Sequence, residues 1–299
     1  MFNAFKENMP AERTNKLGHQ QNYELMVRSV HTALRGCGRL GCHVMNEDHI
    51  SVTVEDCSFQ HLELSYWLNT MGFRQLLEDF RVGGKGKGRL QAEVAALSPA
   101  KGKVPECRLP TNPSEDFFID RIIKIDTEGW VPLLSLMHQF AEIFEFYDFN
   151  SLGTRLTKYV DIKPNDWEGL IAAGWWCGAS GRAACSLRCF AAAHFMAPPE
   201  NAIAALRGLA VLLHSHSKKE DAKEISYLSF YTSPKSKVDA FLVGVSHSYM
   251  FDYEPAVWMY RYALSFDSEF LPAKACLHAT VCVMLYGETI KDKTKDQVE

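Results

Sequence analysis

Cysteine and histidine side chains cluster near the amino terminus of this chain, where they could bind a metal ion. Cys37, Cys42, His43, Cys57 and His61 offer sulfur and nitrogen ligands at short spacings, and such ligands suit tetrahedral zinc. Four residues separate the first two cysteines, however, and no second knuckle of paired ligands follows. Because this spacing differs from that of the common zinc fingers, we predict separate core and surface roles for these residues, with no metal and no cofactor.

Three other segments resemble reactive sites in composition only. The run GGKGKGR at 83–89 lacks the Ser or Thr that a phosphate-binding loop places after its Gly-Lys. The run GASGR at 178–182 has its second glycine one residue too early for a nucleophile elbow. His214 and His216 fall in a predicted turn, HSHSKK, which favours surface histidines. No pair of carboxylates suggests acid–base chemistry either, so the sequence predicts that the protein is not an enzyme.

Composition is that of a soluble globular protein long enough for two domains. Apolar residues make up 47% of the 299 residues and charged residues 23%. The net charge of −4 is too small to select nucleic acid or an anionic membrane. No apolar run is long enough to span a bilayer. These features favour a protein partner over nucleic acid or membrane.

The cysteines and the amino-terminal segment predict a cytoplasmic location, associated with the cytoskeleton or the cell periphery. Nine cysteines, an odd number, are scattered along the chain, and four of the last five lie on apolar faces of predicted helices. Reduced core cysteines have this distribution. The first 21 residues lack the apolar stretch of a signal peptide, and no Asn-x-Ser/Thr acceptor occurs. We therefore expect unpaired cysteines in a reducing compartment.

Glycine recurs in the carboxyl-terminal half at the spacing of a helical hairpin. Gly174, Gly208 and Gly244 lie 34 and 36 residues apart. The positions that follow are small or aromatic in the same order. In the first and third units these are Ser186, Phe190, Ala193, Ala256, Tyr260 and Ala263. A period of about 34 residues with this order predicts tetratricopeptide repeats, in which a glycine lets two antiparallel helices cross closely. The alternative is an ordinary helical bundle with glycines at chance spacing.

The second unit, at 201–234, departs from this order. The interval from Gly208 to Ala222 is two residues longer than in the other units, so we predict an insertion in the HSHSKK turn. A final helix at 271–286 would cap the array with one polar side. The predicted repeat-packing residues are Gly174, Phe190, Ala193, Gly208, Ala222, Gly244, Ala256, Tyr260 and Ala263.

The fold prediction is a mainly α protein with three regions. Residues 1–82 form a smaller mixed α/β region, with helices at 22–34 and 62–82 and a strand at 49–54. Residues 83–126 form a flexible linker or insertion, because 83–116 is rich in Gly, Lys and Pro. A strand is expected at its end, at 117–126. Residues 127–299 form the helical-hairpin array with its cap, opening with a degenerate pair at 131–147 and 151–159.

Partners of such arrays bind the concave face, which the first helix of each pair lines. The predicted groove is largely apolar and lacks the basic and amide side chains that clamp a partner's terminal carboxylate, so an amphipathic helix is the expected ligand. Its residues are Trp175, Leu209, Leu212, Leu213, Phe241, Val245 and Ser248. The alternative is that these side chains pack against 128–160 or the amino-terminal region.

Two segments resemble the tetratricopeptide repeat protein 17 family. WWCGASGRAACSLRCFAAAHFMAP at 175–198 is similar to one repeat of that family, and 253–286, which contains EFLPAK at 269–274, is similar to its carboxyl-terminal end. The resemblance covers residues 127–290. It implies a non-catalytic scaffold in actin filament polymerisation and cilium organisation, with an actin-associated partner. The residues also allow a permanent structural subunit whose groove is filled by a constant neighbour.

Overall fold

Antiparallel helices account for all the regular structure in the ranges that the computed structural model describes, which are 88–99, 104–109, 117–144 and 148–295. The predicted mixed region at 1–82, with its cysteine and histidine cluster, lies outside them. The helices are α1 Arg89–Ala96, α2 Phe117–Ile123, α3 Leu134–Ile143, α4 Phe149–Ile162, α5 Trp167–Ala179, α6 Ala183–Met196, α7 Ile203–Ser215, α8 Lys219–Thr232, α9 Lys237–Tyr249, α10 Tyr253–Phe266 and α11 Leu271–Lys295.

Three helix pairs repeat with nearly constant dimensions. The first helices, α5, α7 and α9, have 13 residues each, and the second helices, α6, α8 and α10, have 14. Each first helix packs on its own partner and on the first helix of the next pair. The α3–α4 pair precedes this array and α11 follows it. The prediction of a helical array is therefore confirmed for the described residues, none of whose helices combines the length and apolar character needed to cross a bilayer.

The register of the second pair differs from the prediction. The first helices begin at 167, 203 and 237, which gives intervals of 36 and 34 residues. The turn inside each pair has the same length, so the predicted insertion in the HSHSKK turn is wrong. The two extra residues lie between α6 and α7. In this register Gly174 and Gly244 are each the eighth residue of their helix, whereas the eighth residue of α7 is Ala210 and Gly208 is the sixth.

Aromatic partners explain which first helices need glycine at the eighth position. A Cβ atom at Gly174 would lie 3.0 Å from the ring of Phe190, the eighth residue of α6. The eighth residue of α8 is Ser226, which is small, so Ala210 can carry a methyl group at the equivalent place. Gly208 faces the preceding pair instead, since its Cβ would lie 2.8 Å from Phe190. Gly208 therefore does not mark the crossing inside its own pair.

Parts of the predicted linker at 83–126 are ordered and packed on the array. Leu90 and Val94 of α1 are buried, and so are Ile119 and Ile122 of α2. These pairs lie four and three residues apart, so each forms one apolar helix face. For the described residues the linker prediction is wrong, and the predicted strand at 117–126 is a helix instead. The Gly, Lys and Pro content concealed these short amphipathic segments.

Ion pairs hold the same segments in place. The Arg89 guanidinium lies 2.8 Å from Glu168 at the start of α5. Arg121 of α2 lies 3.0 Å from Asp221 and also pairs with Glu224, both on α8. These contacts tie α1 to the first turn of α5 in the first pair and α2 to α8 in the second pair.

Candidate protein-binding surface

The predicted groove lies inside the array rather than on its surface. Its side chains are at most 3% exposed, and a partner could reach them only by separating the helices. They pack within the hydrophobic core, and the ring contacts of Trp175 with Phe190 and of Phe241 with Tyr260 lie inside the array rather than with 128–160, the segment that the alternative interpretation named. These residues are Trp175, Leu209, Leu212, Leu213, Phe241, Val245 and Ser248.

The predicted packing residues also lie in the core. The side chains among them pack in one continuous cluster. Phe190, Ala193, Ala222, Ala256, Tyr260 and Ala263 are all fully buried. Their positions in the second helices are equivalent from pair to pair, which is why they share one face.

His214 and His216 are buried, so the prediction of surface histidines is wrong. His214 belongs to α7, and its Nε2 lies 3.0 Å from the Ser246 hydroxyl of α9. Complete burial lowers its pKa to about 3, because the charged form loses its hydration. His216 stacks on Trp130 with ring centroids 4.2 Å apart, and burial lowers its pKa as well.

Two sets of hydrogen-bonded polar side chains resemble catalytic groups in residue type but connect helices. One is the His214–Ser246 pair, and the other is the chain Tyr227–His247–Asp252. Tyr227 donates a hydrogen bond of 2.6 Å to His247 Nε2, and His247 Nδ1 lies 3.0 Å from the Asp252 carboxylate. Ser246 and His247 are both fully buried, so a substrate could not reach either group without opening the helix pairs. These chains join α8 to α9 and α9 to the following turn, and they satisfy polar groups inside the core.

The turns inside the three pairs share one backbone conformation. Each first helix ends with two hydrogen bonds from the residues that follow it, the arrangement of a left-handed helix cap. In the third pair the Phe251 N–H donates to the Ser248 carbonyl at 3.1 Å, and the Asp252 N–H donates to the His247 carbonyl at 2.9 Å. The residues with positive φ are Gly181 at 76°, Ser217 at 57° and Phe251 at 59°.

Phe251 occupies this position at a cost in free energy. Glycine is the usual residue there, because a Cβ in the left-handed region costs about 1–2 kcal/mol. The Phe251 side chain is nevertheless 71% exposed, so packing recovers little of that cost. A strained residue with a large exposed apolar side chain is a candidate functional group. The sequence predictions did not include Phe251, although residues 181, 217 and 251 share one offset from the ends of their helices, a signal that could have revealed it.

The turns of the second and third pairs form a concave surface around Phe251, which we call the turn surface. One depression has a volume of about 430 Å³ and a neighbouring one of about 170 Å³. The Lys219 ammonium lies 5.2 Å from the Phe251 ring centre, and Tyr253 packs edge-on against Phe251 at 6.3 Å. The turn surface comprises Ser217, Lys218, Lys219, Glu220, Asp221, Ser248, Tyr249, Met250, Phe251, Tyr253, Ala279, Thr280 and Val283.

Lys218 and Asp221 of the turn surface are in ion pairs, whereas Lys219 and the exposed Glu220 have no ion pair within the described ranges. Lys218 Nζ lies 2.6 Å from Asp126, and Asp221 pairs with Arg121. Within the described ranges Lys219 has no carboxylate partner and contacts aromatic rings instead. The turn surface therefore presents one cation and one carboxylate without ion pairs in the described ranges, beside exposed aromatic area.

The cysteines of the first pair are joined in disulfides, so the prediction of reduced core cysteines is wrong for them. Cys107 is bonded to Cys189 across 82 residues, and Cys177 to Cys185. Cys282 is disulfide-bonded as well. Among the described residues Cys276 is the free cysteine, and burial raises the pKa of its thiol to about 12. The pairing of α5 with α6 and the docking of 104–109 bring these sulfurs together, which linear spacing does not reveal.

Comparison with known proteins shows a partial similarity. The chain is 26% identical over 135 residues to tetratricopeptide repeat protein 17 of the rat, of humans and of the mouse. The match covers 45% of this chain, and 11% of the rat and mouse proteins and 12% of the human one. No family model and no solved structure matches the chain.

The sequence similarity and the observed fold both indicate the same kind of repeat. The matched relatives carry tetratricopeptide repeats by name, and the described residues form an array of helix pairs with a 34–36 residue period. Together they support a tetratricopeptide-like helical repeat array in this part of the chain. The chain spans about a tenth of the length of these relatives.

Proposed function

We propose that this chain is a non-catalytic scaffold that binds a partner protein through its turn surface. The observation that carries the proposal is Phe251, a residue in a strained backbone conformation with 71% of its side chain exposed. Such strain is kept where another requirement outweighs stability. Large aromatic side chains are the usual anchors of protein interfaces, which makes binding the requirement that best accounts for Phe251.

The ligand best suited to this surface is an amphipathic helix with a carboxylate beside its apolar stripe. Phe251, Met250 and Tyr253 offer apolar contact, and Lys219 offers a charge that has no carboxylate partner within the described ranges. The depression of about 430 Å³ holds a few side chains, which corresponds to the anchor residues of one helix face. The partner's carboxylate would also orient the helix, since the Lys219 ammonium has a fixed place over the rings of Tyr249 and Phe251.

The more specific role that we propose is in actin filament polymerisation and cilium organisation, at the cytoskeleton or the cell periphery. It rests on the resemblance of 175–198 and 253–286 to the tetratricopeptide repeat protein 17 family. Actin assembles in the cytosol, where thiol pools keep cysteines reduced. This role therefore requires the fold to persist without the disulfides of its first pair.

A permanent structural subunit is the second candidate. Val131, three residues before α3, and Leu134, its first residue, are 57% and 68% exposed, so the chain also carries exposed apolar side chains that are not part of the turn surface. Exposed apolar area of this kind suits a constant neighbour. A permanent subunit would be isolated only together with that neighbour.

A photocrosslinking residue at position 251 tests the binding proposal. The full chain is expressed in ciliated cells with benzoylphenylalanine in place of Phe251, and a matched chain carries it in place of Phe195, which is 48% exposed on α6. We expect one partner to be crosslinked from 251 and not from 195. Equal crosslinking from both positions would refute a binding role of the turn surface.

Actin assembly in vitro tests the specific role separately. The purified chain is added to pyrene-labelled actin, and the Phe251→Ala variant serves as the comparison. We expect the chain to change the assembly rate and the variant to lose that effect. Unchanged assembly, together with a specific crosslink from 251, would refute the actin role and retain the scaffold.

A further inference from the structure

We propose that Cys107, Cys177, Cys185 and Cys189 form a redox-controlled zinc site, with two disulfides in the oxidised state and a zinc tetrathiolate in the reduced state. The sulfur atoms of Cys177, Cys185 and Cys189 all lie within 4.8 Å of one another. Cys107 is bonded to Cys189, which places the fourth sulfur directly beside one of these three. We call these residues the four-cysteine cluster.

The geometry fits the requirements of a closed structural zinc site. Zinc binds four thiolates tetrahedrally at about 2.3 Å, which places the sulfurs roughly 3.8 Å apart. Cys185 and Cys189 are four residues apart on α6 and share one helix face, and Cys177 lies near the end of α5. Cys107 approaches from the extended segment 104–109. Reduction frees the four side chains to rotate, and the backbones already hold Cys107 4.9 Å from Cys189 and Cys177 5.7 Å from Cys185 between Cα atoms.

The exchange between the two states is balanced by a dithiol reductant. Each disulfide takes up two electrons and two protons from a protein dithiol of the thioredoxin class, which leaves as its own disulfide. Four thiols result. Binding of one Zn²⁺ then releases their four protons to water and forms four Zn–S bonds. Oxidation by a disulfide of higher potential reverses the reaction and releases the ion.

Access to the cluster is confined to one sulfur. Cys107, Cys177 and Cys189 are buried, whereas Cys185 is half-buried. Its sulfur lies 3.3 Å from the Pro105 carbonyl oxygen, at the edge of the segment 104–109. Reduction is therefore expected to begin at the Cys177–Cys185 bond. In either state the cluster fastens 104–109 to α6, so the amino-terminal helices stay docked on the array in both oxidising and reducing compartments.

Metal analysis of the reduced full chain tests the proposal. The chain is reduced with a phosphine, given zinc chloride, freed of unbound metal and assayed for zinc per chain. We expect Cys185→Ser and Cys189→Ser to bind one zinc ion fewer than the unmodified chain. The matched control is Cys276→Ser, which changes a free buried cysteine outside the cluster and should bind as much zinc as the unmodified chain. Zinc bound by Cys37, Cys42 or Cys57 would be the same in every variant, so it cancels when their zinc contents are compared.

Cobalt substitution and melting provide independent readouts. Cobalt in the reduced chain should show the visible absorption of a tetrahedral thiolate site, and this absorption should disappear in Cys185→Ser. Because Cys185 is half-buried, this variant is expected to keep its far-UV circular dichroism. A chelator should lower the Tm of the reduced chain and leave the oxidised chain unchanged. Equal zinc content in the unmodified chain and the two cluster variants, or failure of the reduced chain to bind zinc, would overturn the proposal.

Discussion

Gly244 lies so close to Tyr260 that a Cβ atom on it would stand 2.7 Å from two carbon atoms of the tyrosine ring. The glycine on α9 and the ring on α10 therefore fit together only as a pair. The first helix pair contains the same relationship between Gly174 and Phe190, and the second has Ala210 and Ser226 at the equivalent positions. An aromatic residue at the eighth position of the second helix thus coincides with glycine at the eighth position of the first.

Substitution at Gly244 should separate α9 from α10. We expect Gly244→Ala to lower the free energy of unfolding by about 1–3 kcal/mol, because overpacking in a rigid core forces helices or rings to shift. The measurement is denaturant unfolding. In the Gly244→Ala/Tyr260→Ser double variant, which reproduces the residue types of the second pair, the total loss should be smaller than the sum of the two single losses. Additive losses would contradict the pairing of glycine with the ring.

Relief of backbone strain at Phe251 should stabilise the fold and remove binding. We expect Phe251→Gly to raise the free energy of unfolding by up to about 1 kcal/mol. Glycine adopts positive φ without strain, which stabilises the folded state, but it also makes the unfolded chain more flexible, which offsets part of the gain. The same variant should lose the partner found by crosslinking from position 251, as calorimetry would show.

Ser217→Gly is the matched control that separates the gain in stability from the loss of binding, because Ser217 has the equivalent backbone conformation with φ of 57°. It should gain stability to a similar extent while keeping most of the affinity, since it removes no aromatic anchor. A Phe251→Gly variant that binds as tightly as the unmodified chain would show that Phe251 has no binding role.

Protonation of His214 should destabilise the protein in acid. Burial holds its pKa at about 3 in the folded state, whereas an exposed histidine has a pKa of about 6.5. Between these values the unfolded chain binds a proton there that the folded chain does not. The free energy of unfolding should therefore fall as the pH falls from about 6.5 towards 3, with a slope approaching about 1.4 kcal/mol per pH unit for this one group.

His214→Gln tests that assignment, because glutamine can still hydrogen-bond to Ser246 but does not titrate. Its free energy of unfolding should depend less steeply on pH between about 3 and 6.5, because unfolding of this variant takes up to one proton fewer. His138→Gln, at an exposed position on α3, is the control for the loss of a histidine elsewhere in the array, and both variants are compared over the same pH range. An unaltered slope in His214→Gln would assign the acid sensitivity to other groups.

Loss of Arg207 should leave a buried charge without its partner. Asp239 is fully buried, and its carboxylate lies 2.9 Å from Arg207 Nε and 2.5 Å from the second guanidinium nitrogen. We expect Arg207→Met to cost about 3–5 kcal/mol in denaturant unfolding. The Arg207→Met/Asp239→Leu double variant should recover part of that loss, because it removes the charge as well. A loss below about 1 kcal/mol in Arg207→Met would show that water or other groups solvate Asp239.

The hairpin period could be predicted from the sequence because it depends on local contacts. Gly174 and Phe190, and likewise Gly244 and Tyr260, lie 16 residues apart, so both partners of each crossing appear in one short window. Pro198 and Pro199 mark the end of the helix before them. The register of the second pair could not be found in this way. Gly208 packs against Phe190 of the preceding pair, so its spacing in the sequence resembles that of a crossing glycine although it does not lie at the crossing.

Long-range and three-dimensional features depended on the tertiary structure. The Cys107–Cys189 bond joins residues 82 positions apart, and the helices at Arg89–Ala96 and Phe117–Ile123 are stabilised mainly by packing on the array rather than by local propensity. The face of Leu213 and Phe241 is apolar whether it lines a groove or packs on the next helix, so periodicity alone could not separate these two cases. Burial separates them, because stacking the first helices of successive pairs closes that face, whereas the turn that carries Phe251 leaves its side chain exposed beside α11.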